Sequence, residues 1–396
     1  MRVELPENDQ SGGVLPLEDA AATALALTEL VEVRRDTPTR WRILPRRNRI
    51  GAVRVGELEV VVRPKAAFAS VMFMLGYARD PGYLPWEVDG FVEDDLWSAV
   101  GETLARLAER GLMQGVLQGY VTRDDALGVL RGRVRAADQA ARRPGALLPL
   151  EVTYDEYEPD IAENRILRAA LNRMMLVPRL PRRVHSRLGH LSGRLDGVSP
   201  LVPGAPLPAW RRTRMNLRYQ PALQLAEVVL RSVGLSSTVG GMPVASFVVD
   251  MATVFEDFAT TALRESLFRL SPRGRTVAQH QAWADEGERV RIKPDIVHFA
   301  GRQPRIVFDA KYKLGSEDGG YPTSDVYQMH AYCTALGLRR GYLVYAGSRA
   351  EGAGASTHRI LNTEIDVVQW PLDVRAVPAE LLDQIDVLAI DAGQYP

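Results

Sequence analysis

Residues 292–312 contain two runs of strand-forming residues, Ile292–Phe299 and Arg305–Tyr312, and each carries a carboxylate within an otherwise apolar stretch. The turn residues Ala300–Pro304 between them predict an antiparallel hairpin. Centred on Arg302, such a hairpin sets Asp295 opposite Asp309, and residues opposed across a ladder share a face. Lys311 lies two residues beyond Asp309 and points the same way. Two carboxylates and one ammonium therefore meet on one patch. Opposed like charges disfavour pairing by at most about 1 kcal/mol, and the adjoining Ile306, Val307 and Phe308 add desolvation to the repulsion. A divalent cation removes this conflict, and oxygen donors select a hard one, Mg²⁺ or Mn²⁺. Asp295 and Asp309 would hold it, helped by the Ala310 carbonyl. Such an ion acidifies a water and neutralises a phosphate, while Lys311 positions that water or stabilises the developing charge. A structural Asp–Lys–Asp salt-bridge cluster is the alternative that these residues alone leave open.

The flanking pattern is that of an α/β unit. A helix is predicted over Ala245–Phe268, with Val248, Met251, Phe255, Phe258 and Ala262 on one stripe. Beyond the hairpin and a loop at Gly315–Pro322, a helix opens at Thr323 or Ser324 and closes at Gly337, followed by the strand Gly341–Tyr345. Ile360–Asp366 reads as a further strand and Pro378–Gln384 as a short helix. Upstream, a short helix within 17–31 precedes four strands, Val31–Arg35, Arg40–Leu44, Ile50–Val55 and Leu58–Arg63. Helices follow at Ala66–Arg79 and Glu93–Arg110, then strand character over Gly119–Ala136 and a helix over 160–176. Gly197–Pro208, with four prolines and two glycines, is the expected interdomain loop.

Charge supports three segments. Residues 160–235 hold 13 basic and four acidic residues, whereas the whole chain carries 49 of each. The expected division is a β-rich and helical partner-binding region at 1–159, a basic helical connector at 160–235 and an α/β domain at 236–396. Within the connector Arg211, Arg212, Arg214 and Arg218 lie beside Trp210 and Tyr219, an arrangement suited to phosphate contact and stacking; a solvated face is the bland reading. Only four lysines stand against 45 arginines, and three of them fall within 293–313, which hints that an ammonium is wanted there.

Several chemistries are excluded. The single cysteine, Cys333, permits no disulfide within the chain and no cysteine-ligated zinc or iron–sulfur site, and the six histidines form no H-E-x-x-H pattern. No G-x-x-x-x-G-K-[ST] occurs, so no P-loop holds a nucleotide; Gly352-Ala-Gly354 reads as a flexible loop. Acidic residues near the start and the lack of a long apolar run lead to an expectation of a cytoplasmic protein with no membrane partner.

Gln328 and Tyr332 lie four residues apart on one helical face, and Glu256 in Val-Phe-Glu-Asp-Phe offers a further carboxylate. With Asp295 and Asp309-Ala-Lys311, this order resembles the PD-(D/E)xK nuclease superfamily in its Gln-x-x-x-Tyr form. Leu130-Arg-Gly-Arg133, Glu163-Asn164-Arg165 and Phe255-Glu256-Asp257-Phe258 narrow the resemblance to the McrC family, over about residues 119–346. That resemblance implies a restriction-endonuclease-like C-terminal domain with a mixed central sheet flanked by helices, within a chain that is α+β overall. It also implies an endonuclease cutting DNA that contains modified cytosine, in complex with a hexameric McrB-like AAA+ GTPase whose hydrolysis it stimulates. Asp295, Asp309 and Lys311 take the catalytic roles by motif match, with Gln328 and Glu256 as further candidates. Arg211, Arg212, Arg214, Arg218 and Tyr332 are the expected DNA contacts. An NTPase-activating adaptor with a vestigial nuclease site and a stand-alone repair nuclease of RecB type are the competing readings.

Overall fold

The strand-rich opening of the chain builds a sheet whose other half comes from far downstream. In the computed structural model, which describes residues 1–78, 81, 96–202, 205–236, 244–313, 323–347 and 354–394, the first sheet has five described strands. Their order is Arg2–Pro6, Leu58–Arg63, Arg49–Val55, Val244–Asp250 and Val233–Ser236. The first pair is parallel and the others antiparallel. Arg49–Val55 is the most buried of these, and its Gly51 explains how closely the next strand approaches. At φ +134, a Cβ on Gly51 would lie 1.8 Å from the Phe247 carbonyl oxygen. A smaller sheet of Gly13–Pro16, Arg40–Pro45 and Val31–Thr37 joins the same core through Val31 and Ile43, packed with Leu25, Val53 and Val60.

The helix expected over Ala245–Phe268 begins later, at Met251, and runs to Leu270; Val244–Asp250 is a strand. Its residues alternate buried and half-buried, the period of a strand, and Asp250 then caps the helix by accepting the Ala252 and Thr253 N–H groups at 3.0 and 3.3 Å.

The second sheet is mixed, with six described strands in the order Gly274–Ala278, Ile296–Ala300, Gln303–Lys311, Arg340–Gly347, Asp366–Asp373 and Ser356–Arg359. The middle three are parallel and the outer pairings antiparallel. Helix Thr323–Leu336 covers one face, where Met329, Tyr332 and Cys333 pack with Val307, Leu343 and Val367. It closes as expected at Gly337, φ +67. The strand expected over Ile360–Asp366 is instead a turn between Ser356–Arg359 and Asp366–Asp373, made by Asn362 at φ 60 and a hydrogen bond from Ile360 N to Ile365 O. The final helix runs from Pro378 to Gly393, past the expected Gln384. The loop expected at Gly315–Pro322, residues 93–95 of the second upstream helix and Gly352 lie outside the described residues.

These two sheets belong to one unit, Met1–Leu96 with Ser232–Pro396, and Trp97–Arg231 forms another. The division does not follow the expected boundaries at 159 and 235, because strand pairing between Arg49–Val55 and Val244–Asp250 ties the two ends of the chain together. The expected interdomain loop at Gly197–Pro208 lies inside the second unit, with residues 203 and 204 outside the described ones. That unit combines helices Leu96–Leu112, Ala162–Met175, Arg182–Gly193 and Gln220–Ser232 with a sheet of Gly119–Leu127, Leu150–Glu158 and Arg133–Val134. Both sequence motifs quoted from this unit make contacts within it. Gly132, φ +71, lets the backbone press onto Thr153, while the Arg131 guanidinium lies 4.0 Å over the Tyr154 ring. Glu163 accepts from Asn216, Asn164 donates to the Leu117 and Pro159 carbonyls at 2.7 Å, and Arg165 grips Asp160 through two hydrogen bonds of 2.7 Å.

Candidate active site

The hairpin forms in the register expected around Arg302. Ile296 faces Phe308, Val297 faces Val307 and His298 faces Ile306, before a one-residue slip sets Phe299 against Pro304. Asp295 stands one residue ahead of its strand, and its Oδ2 accepts the Ala310 N–H at 2.9 Å. Asp309 follows Phe308 on the partner strand and is 1% exposed. The Lys311 ammonium is 2.5 Å from Asp309 Oδ2. That oxygen is buried, and the Lys311 ammonium is its ion-pair partner. All three side chains gather at the carboxyl end of a parallel strand, where open α/β sheets bind their ligands.

Electrostatics in the cluster are strained. Burial and then the Asp295 charge push the Asp309 carboxyl up from its ordinary range, against the pull of Lys311. Burial opposes the Lys311 charge, and the carboxylates of Asp309, Asp295 and Asp325 overcome it and hold that amine above its ordinary value. Glu256, on helix Met251–Leu270, is pushed upward by burial and next by Asp295. It reaches the cluster through Gln279, whose Nε2 donates both to Glu256 Oε1 and, at 2.9 Å, to Asp295 Oδ1.

Gln328 and Tyr332 share a helical face as expected, but they bond to each other, Gln328 Nε2 donating to the Tyr332 hydroxyl at 2.6 Å. Burial, followed by the nearby Asp309, raises the Tyr332 hydroxyl above its ordinary value. Tyr332 is 5% exposed and packs in the core, so the structure offers no exposed ring at the position expected to contact DNA. Arg211, Arg212 and Arg214 are exposed and belong to the Trp97–Arg231 unit. Arg218 is turned inward, donating to Gly115 O at 3.1 Å and Gln114 Oε1 at 3.4 Å, which makes it a brace more than a free cation.

Three residues escaped the sequence reading. Gln279 sits in 271–290, a stretch with neither a periodic pattern nor a motif. Asp325 accepts from Lys313 at 2.9 and 3.0 Å and from the Tyr345 hydroxyl at 3.1 Å, tying helix Thr323–Leu336 to the end of the hairpin. The clustering of lysines was the signal that pointed to Lys313. Glu7, from the N-terminal strand region, accepts from the Tyr312 hydroxyl at 2.9 Å.

The donor set fits a hard divalent cation: carboxylate oxygens in mutual repulsion, with Asp309 Oδ2 buried against the Lys311 ammonium. Among the described residues, no three His, Cys, Asp or Glu side chains group as a ready-made cage. Mg²⁺ suits such a site, because it binds through one or two carboxylates and keeps water or phosphate oxygens for the rest. No helix among the described residues is long and apolar enough to cross a membrane.

Fold and site define a mixed α/β protein with a buried acid–lysine cluster at the edge of its parallel strands. The chain belongs to the McrBC 5-methylcytosine restriction system component family, whose profile matches residues 44–346. Among solved structures it is similar to a chain in the refined half-complex from a tetradecameric assembly of Thermococcus gammatolerans McrB AAA+ hexamers with bound McrC. That match has 17% identity and a TM-score of 0.56, and covers 98% of this chain and 100% of that one. A chain of the Thermococcus gammatolerans McrBC complex, solved by cryo-electron microscopy, matches at 18% identity with a TM-score of 0.42, over 67% of this chain and 88% of that one. Comparison with curated proteins finds no match.

Proposed function

We propose that the chain is the DNA endonuclease subunit of a McrBC-like restriction complex directed at modified cytosine, hydrolysing phosphodiesters with Mg²⁺ or Mn²⁺ in the cytoplasm. The observation that carries this reading is the gathering of Asp295, Asp309 and Lys311 at the end of one paired strand. Asp295 and Asp309 would hold the cation, with the Ala310 carbonyl as a further oxygen donor. When bound there, the cation acidifies a water and offsets charge on the scissile phosphate. Lys311, anchored by Asp309, steadies the attacking water and the negative charge that develops on the phosphate oxygens. Glu256 adds a carboxyl beside Asp295, and Gln328 donates to the Tyr332 hydroxyl from the same helix. Arg211, Arg212 and Arg214, exposed on the unit Trp97–Arg231, are the proposed contacts to the DNA phosphate backbone.

The chain lacks a P-loop, so NTP hydrolysis must come from a partner. A solved structure similar to it over nearly its whole length holds McrB AAA+ hexamers with bound McrC; a hexameric AAA+ NTPase of that kind is the proposed partner, stimulated by this chain. Asp309→Ala, assayed with the partner and Mg²⁺, is expected to abolish plasmid cutting while leaving NTPase stimulation intact. Failure of the wild type to cut with any partner or metal returns the adaptor reading. Cutting by the wild type alone returns the stand-alone nuclease.

A further inference from the structure

We propose that Gln279 is a positioning residue that holds Glu256 and Asp295 together and so presets the cation site; this rests on the reading of that site given above. Strand Gly274–Ala278 pairs with Ile296–Ala300, and directly after it the backbone of Gln279 turns into the left-handed region at φ 50. For a residue with a side chain this conformation is strained and persists only where surrounding contacts over-determine it. Those contacts are present. The Gln279 N–H donates to Asp295 O at 2.7 Å and the His280 N–H to Pro294 O at 3.1 Å, which locks the turn against the residues leading into the hairpin.

The turn sends the carboxamide between two carboxyl groups. A primary amide nitrogen has two N–H bonds, and Gln279 Nε2 spends them on Asp295 Oδ1 and Glu256 Oε1. Asp295 is thereby held at both oxygens, Oδ1 by Gln279 and Oδ2 by the Ala310 N–H. Each oxygen retains a second lone pair, and the carboxylate plane is set before any cation arrives. Glutamate at this position would add another like charge to the cluster. Methionine, of similar length, would leave both acids without their shared donor. Outer donors of this kind typically change metal affinity by 10–100-fold.

Mn²⁺ binding to the full chain, followed by titration calorimetry, tests the inference without reference to cutting. Gln279→Met is expected to weaken Mn²⁺ affinity about 10–100-fold. Gln279→Asn, which withdraws the amide by one methylene and keeps a polar side chain at the turn, is expected to weaken it in the same direction and serves if the first variant fails to fold. Asp309→Asn separates the two layers of the argument. If it loses binding while Gln279→Met and Gln279→Asn bind as the wild type does, the role of Gln279 is overturned and the site stands. If Asp309→Asn binds Mn²⁺ as the wild type does, the site itself falls and the inference with it.

Discussion

Asp309 answers to three influences at once: burial and the Asp295 charge favour its neutral form, and the Lys311 ammonium favours the charged one. The first two prevail, which has a consequence for stability. In the unfolded chain this carboxyl releases its proton at an ordinary value, while the folded chain retains it to higher pH. Between those two values the native state binds more protons, so stability falls as pH rises through the window. Glu256 acts in the same sense. Asp309→Asn removes one such contribution. In metal-free buffer its thermal midpoint is expected above the wild type at pH 8, with the gap closing towards pH 4; a midpoint below the wild type at pH 8 contradicts this. The acid pair and Lys311 were legible in the sequence because a short hairpin is governed by local spacing alone. Gln279 was not, because its amide reaches the acids from a turn that no periodic pattern announces.

Among the elements, the junction at residue 250 shows how one apolar pattern can serve two periods. Val248 and Met251 fit a helical stripe with Phe255 and Phe258, yet Val248 belongs to a strand because Arg49–Val55 offers its backbone a ladder. Asp250 marks the change of element. Asp250→Ala, which removes the two capping bonds, is expected to lower stability by about 1 kcal/mol in urea unfolding. Gly51 controls the same pairing from the other strand. With a Cβ only 1.8 Å from a carbonyl oxygen and φ at +134, Gly51→Ala must push the strands apart. A loss of at least about 2 kcal/mol is expected, and a change within a few tenths on the same urea curve would show that the strands are not so tightly paired.

For the whole molecule, a division at residue 236 would make 236–396 an independent domain. The structure makes it only part of one, completed by Met1–Leu96. Expressed alone, that segment loses the strand partner of Val244–Asp250 and the Glu7 acceptor of the Tyr312 hydroxyl. It is expected to melt without a cooperative transition, and co-expression with 1–96 is expected to restore one; a cooperative melt of 236–396 alone would refute this. Local pattern was enough to place most strands and helices, the hairpin register and the acid–lysine patch, since each depends on residues close in the chain and on a side-chain period of two or 3.6. Which distant segments share a sheet, where Tyr332 is buried and what steadies Glu256 and Asp295 were decided only on folding. Backbone hydrogen-bonding groups are alike at every residue but proline, so composition does not say which strand edge will satisfy which other.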